Sequence, residues 1–171
     1  MTAPAFPSWT LVSGTGREQV AWTARGRDDA GSGTAIPCDL TLAGRFYGAA
    51  LEDRVPAPHP DFHLEIRGLA VPVPTLERLH DHLARWIDLS PIERRNAPLG
   101  LDCDMGSLFD QHVRLLLGER ADTLSAGQPV ATIRFVVGRL AGEMWFATDA
   151  DALTRWSEEI RAALRWSSSR R

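Results

Sequence analysis

The chain has 171 residues, 44% hydrophobic and 24% charged, which fits one globular domain with a sizeable core. A formal net charge of −3 argues against a dedicated nucleic-acid binder, which carries a basic balance or stripe. Two cysteines, Cys38 and Cys103, make no disulfide framework, and no apolar run is long enough for a signal peptide or membrane helix.

The expectation is a single α+β domain over residues 1–171, flexible at 1–8 and 167–171, in the cytoplasm. All nineteen basic residues are arginine, which implies a GC-rich bacterial coding sequence rather than nineteen bidentate anion sites.

Residues 9–13 (WTLVS) read as a first strand, 14–16 as a turn and 19–25 (QVAWTAR) as a second strand. The stretch 26–34 (GRDDAGSGT) has no large apolar residue and reads as an exposed loop carrying Asp28 and Asp29. In 36–43, Cys38, Leu40 and Leu42 alternate with Asp39 and Thr41, the period of a half-buried strand. A turn at Gly44 is expected to pair it with 45–52. Three prolines in residues 55–60 exclude helix and central strand, because proline has no N–H to give. Residues 61–67 then alternate again, with Phe62, Leu64 and Ile66 on one face.

Pro72 and Pro74 precede a helical repeat of Leu76, Leu79, Leu83, Trp86 and Ile87, with Thr75 as the expected N-cap. Pro91 is expected to end this helix near Leu89, and 92–98 reads as a polar loop. Strands are expected at 112–117, 129–139 and 143–148, the last two forming a hairpin around Ala141 and Gly142. Residues 151–166 form the second long helix, with Thr148 and Asp151 as a capping pair. No internal repeat is legible. Short strands, tight turns and only two long helices predict a curved antiparallel sheet with two long helices packed on one face.

Chemical signals are sparse. His80 and His82, two apart on a helix, point opposite ways and do not suit a shared metal. His59, Asp61 and His63 are a weaker metal candidate, and scattered surface polarity explains them better. Asp102, Cys103 and Asp104, with Asp110 and His112 beyond, are the most reactive-looking stretch. Cys103 with His112 as base would be a nucleophilic pair. Two carboxylates on one strand face are better read as an acidic, partner-binding edge. Residues 13–16 (SGTG) lack the lysine and following helix of a phosphate loop. No catalytic, cofactor or metal residue is assigned. Of the six tryptophans, Trp86, Trp145 and Trp156 are expected inside, while Trp166 sits at a helix end where it is a candidate contact.

From Asp61 to Leu164 the layout resembles small bacterial immunity proteins of polymorphic toxin systems, such as those accompanying cell-wall-associated rearrangement-hotspot toxins. The resemblance rests on a strand (DFHLEIR), a leucine-rich helix ending LARWID, a strand pair closing on EMWF and a terminal helix. It implies a non-catalytic inhibitor, without cofactor, that binds a toxin or effector domain, as monomer or small homo-oligomer, and neither nucleic acid nor membrane. Asp28, Asp29, Asp102, Asp104, Asp110 and Trp166 are then the candidate contacts. The alternatives are an adaptor or chaperone for a secreted effector, and an enzyme built around Asp102, Cys103 and His112.

Overall fold

A computed structural model describes residues 6–26, 34–45, 61–119 and 127–169. One antiparallel sheet holds eight strands in chain order: β1 Ser8–Val12, β2 Gln19–Ala24, β3 Ala35–Arg45, β4 Asp61–Pro72, β5 Leu101–Leu108, β6 Gln111–Glu119, β7 Pro129–Val137 and β8 Leu140–Ala147. Among the described residues three helices accompany it: α1 Val73–Ile87 and α2 Pro91–Arg94 between β4 and β5, and α3 Ala150–Ser168 after β8. The α+β class and the antiparallel sheet are as expected. No described helix is long and apolar enough to cross a membrane.

The element order repeats. Among the described residues four strands and a helix are followed by four strands and a helix, with α2 as an insertion. The two four-stranded halves meet at one bridge, Ala70 opposite Ser107. Helix α1 packs on β4 and β5, α3 packs on β1, and the two helices pack on each other.

Alternation explains the core. Trp9 and Leu11, Val20 and Trp22, Cys38, Leu40 and Leu42, Leu115 and Leu117, and Ile133 and Phe135 are odd or even sets that each strand turns to one side. They join Leu76, Leu79 and Leu83 of α1 and Leu153, Trp156 and Ile160 of α3 in one cluster. Trp9 stacks on Trp22 at 6.5 Å, and Trp22 meets Trp156 at 6.1 Å, tying the sheet to α3. The Trp22 Nε1–H donates to the Met105 carbonyl at 3.3 Å, bridging the two halves. Both cysteines are free and buried, and burial raises each thiol pKa.

Several local expectations need correction. Gly44 is no turn: it lies within β3, opposite Phe62 of β4, and residues 46–60 are outside the described part. Pro74 does not precede α1 but sits in its first turn, where a missing N–H costs nothing. Pro72, not Thr75, is the N-cap residue, without a side-chain bond. The expected loop at 92–98 begins with α2, whose Ser90 and Glu93 form a complete capping box. The terminal helix is capped by Asp149, which accepts from the Ala152 amide at 2.7 Å. Thr148 instead donates to the Val12 carbonyl at 2.8 Å.

The hairpin turn lies at Gly138 and Arg139, not at Ala141 and Gly142. Gly138 has φ 59°, the left-handed first position of a two-residue turn that glycine adopts without strain. Gly142 pairs with Phe135, whose ring occupies the space a side chain would need: a Cβ there would lie 2.5 Å from the ring Cζ.

Candidate functional site

The strand β5 was not expected as such. It forms a hairpin with β6 and places Asp102 and Asp104 on the face away from the core, with Cys103 between them turned inward. Register then builds two rows across the outer face. One runs Asp102, Leu116, Thr132, Trp145, and the other Asp104, Arg114, Arg134, Glu143.

The charges in these rows pair with each other. Arg114 donates to both Asp102 oxygens, at 2.6 and 3.2 Å, and Arg134 donates to Glu143 at 2.7 Å. Asp104 accepts from the Gly106 amide at 3.0 Å and lies 3.4 Å from His112 Nε2. All these side chains are about half exposed, so each pair is worth no more than about 1 kcal/mol. Their effect is to order opposite charges across the outer face.

Apolar groups stand proud of that surface. Trp145 is 61% exposed and Val136 is also exposed, while exposed Leu140 at the β7–β8 tip has the parity of Met144 and Phe146 on the other side of β8. At the tip of the β5–β6 hairpin Phe109 is 99% exposed and has φ 52°, a left-handed backbone that a bulky side chain rarely adopts. The two tips touch, the Gly138 amide donating to the Asp110 carbonyl at 3.3 Å. The expectation that Trp145 lies inside is therefore corrected: Met144 and Phe146 turn toward the core, and Trp145 faces out beside Thr132.

A groove of about 480 Å³ runs along the other side of β8. Phe135, Met144 and Phe146 line it from the second half, and Glu18 and Gly44 from the first.

The sequence-based candidates divide as follows. Asp102, Asp104 and Asp110 do gather at the outer face and tip of β5–β6. Asp28 and Asp29 lie outside the described residues. Trp166 is half-buried and meets Phe6 edge-on at 6.1 Å, at the far end of α3 from its cap. Cys103 and His112 are not brought together: the thiol is buried on the core side and the imidazole is on the outer face. Burial holds the Cys103 thiol above its ordinary pKa, and the Arg78 guanidinium beside it only partly opposes this.

His82 shares a 2.9 Å hydrogen bond with the Leu99 carbonyl, and His80 lies beside Asp81. His63 lies 3.4 Å from Glu65, and His59 is outside the described part. Among the described residues no three histidine, cysteine or acidic side chains group as metal ligands. The residues that sequence reasoning missed are Phe109, Val136, Leu140 and Trp145. No protein-family model, curated protein or solved structure matches the chain.

Proposed function

We propose that this chain is a cytoplasmic immunity protein that neutralises a bacterial toxin domain by direct binding, without catalysis. The observation that carries the reading is the gathering of exposed Trp145, Val136, Leu140 and Phe109 on and beside a face of ordered ion pairs. Exposed aromatics surrounded by polar groups are what concentrates binding energy at protein interfaces. On this reading the sheet is curved, with α1 and α3 on its inner side. Its ends are drawn together where the Gly14 amide donates to the Ala147 carbonyl at 3.0 Å. The outer side of β5–β8 is left for the partner. The layout resemblance to immunity proteins points the same way.

Co-expression with the toxin domain encoded beside this gene tests the reading, scored by survival. The intact chain restores growth. Trp145→Ala weakens the complex by about 2 kcal/mol, or roughly 30-fold, if Trp145 is a hot spot. Because the side chain is largely exposed, thermal stability should change by no more than about 0.5 kcal/mol. Failure of the intact chain to protect, with the toxin domain confirmed active, overturns the proposal.

A further inference from the structure

The two outer edges of the sheet are treated differently. At the β1 edge the Thr10 amide donates to the Glu159 carboxylate of α3 at 2.6 Å, and α3 packs along the strand. That is how folded proteins guard an edge against pairing.

The β8 edge has no such cover among the described residues. Val137 and Leu140 close the two-residue hairpin, so Leu140, Gly142, Met144 and Phe146 exchange their backbone bonds with β7. Ala141, Glu143, Trp145 and Ala147 therefore turn N–H and C=O the other way. Ala147 confirms the parity, since its carbonyl accepts from Gly14. That leaves the backbone groups of Ala141, Glu143 and Trp145 facing outward along one strand. In the repeated layout β5 stands beside β4, and among the described residues no strand pairs with the outer edge of β8.

The groove beside this edge adds side-chain chemistry. Met144 and Phe146 give it an apolar lining. Glu18 stands in its wall, held by Thr15 Oγ1 at 3.1 Å and without an ion pair to any described residue.

We propose that β8 receives an extended segment of the partner as an added strand, with apolar side chains in the groove and a basic side chain at Glu18. The unpaired groups of Ala141, Glu143 and Trp145 match the repeat of an extended backbone, and the carboxylate selects a cation beside it. This names the mode of contact for the function proposed above and rests on that reading, but its test is separate.

The probe is a capped octapeptide of alternating valine and arginine, added at millimolar concentration to the full chain. Amide hydrogen exchange is read by NMR. At saturation, exchange at Ala141, Glu143 and Trp145 slows by about tenfold or more, while Gly142 and Met144, already bonded to β7, stay as they were. A peptide N-methylated at every residue gives no such slowing. Ala141→Pro removes an outward N–H only, which an edge strand tolerates, and weakens binding. Glu18→Gln weakens it about two- to fivefold at low salt, and the difference vanishes at high salt.

Absence of the alternating protection overturns the inference, as does equal protection by the methylated peptide. So does a homodimer that Ala141→Pro dissociates, since the occupant would then be a second copy. A chain that protects cells yet shows no protection at β8 in its toxin complex keeps the proposed function and loses this inference. A chain that takes the peptide but protects no cells does the reverse.

Discussion

Phe109 shows what one residue can reveal that a pattern cannot. Its φ of 52° costs about 1–2 kcal/mol for an L side chain, and being 99% exposed it gains nothing from the core in return. Phe109→Gly should therefore stabilise the fold by up to about 1 kcal/mol, checked by urea denaturation. The same change should weaken partner binding, and a variant that gained stability without losing binding would remove Phe109 from the interface. Gly142 is the opposite case. Its missing side chain makes room for the Phe135 ring, so Gly142→Ala should destabilise by about 1–3 kcal/mol unless the ring moves. A melting temperature unchanged from the parent would show that the ring gives way freely.

At the scale of elements, α2 is the clearest surplus over the sequence reading. The Ser90 amide donates to Glu93 at 2.8 Å, and the Glu93 amide donates to Ser90 Oγ at 3.3 Å. Hydrogen bonding from the Ser90 hydroxyl first, and then from its amide, holds the Glu93 carboxyl below its ordinary value of 4.5. A folded-state pKa depressed in this way contributes stability that is present above pH 4.5. It is lost as pH falls through the lower folded value. An NMR titration of the Glu93 carboxyl should find a midpoint below 4.5 that moves back up in Ser90→Ala. A midpoint unmoved by that change would assign the shift elsewhere.

The strands were legible where one face is polar. Cys38, Leu40 and Leu42 against Asp39 and Thr41 read correctly, because alternation is the direct imprint of a half-buried sheet. Strand β8 was read less well. Its run of Met144, Trp145 and Phe146 is apolar throughout, and Trp145 was expected inside. The parity of a two-residue hairpin already sets Trp145 on the face of Thr132, opposite Ile133 and Phe135. That parity was not read because the turn was placed at Ala141 and Gly142 instead of Gly138 and Arg139. Strand β5 was read only as an acidic edge, because its partner was not visible: Arg114 on β6 pairs with Asp102 and offsets its charge within the sheet.

Over the whole molecule, the two halves share one core, and the tryptophan row is where they are most dependent on each other. Trp156 is wholly buried, and its neighbour Trp22 bonds across to Met105. Trp156→Ala should cost about 3–5 kcal/mol and lower the single melting transition rather than split it, as calorimetry would show. Two separate transitions would mean that the halves fold apart. The repeat of four strands and a helix is invisible in the residues because each half fills the shared core with different side chains. Only the order of elements is kept.

The sequence by itself determined the class of the fold, the inward face of the strand carrying Cys38, Leu40 and Leu42, and the apolar stripes of α1 and α3, because periodic burial is written into residue spacing. It also singled out Asp102 and Asp104 as an acidic edge. Tertiary structure alone decided that Cys103 and His112 are parted by the sheet and that Arg114 pairs with Asp102. It alone placed α3 along β1 and left the outer edge of β8 without a paired strand among the described residues. Those outcomes depend on which strands become neighbours and where a distant helix comes to rest, and local spacing carries neither.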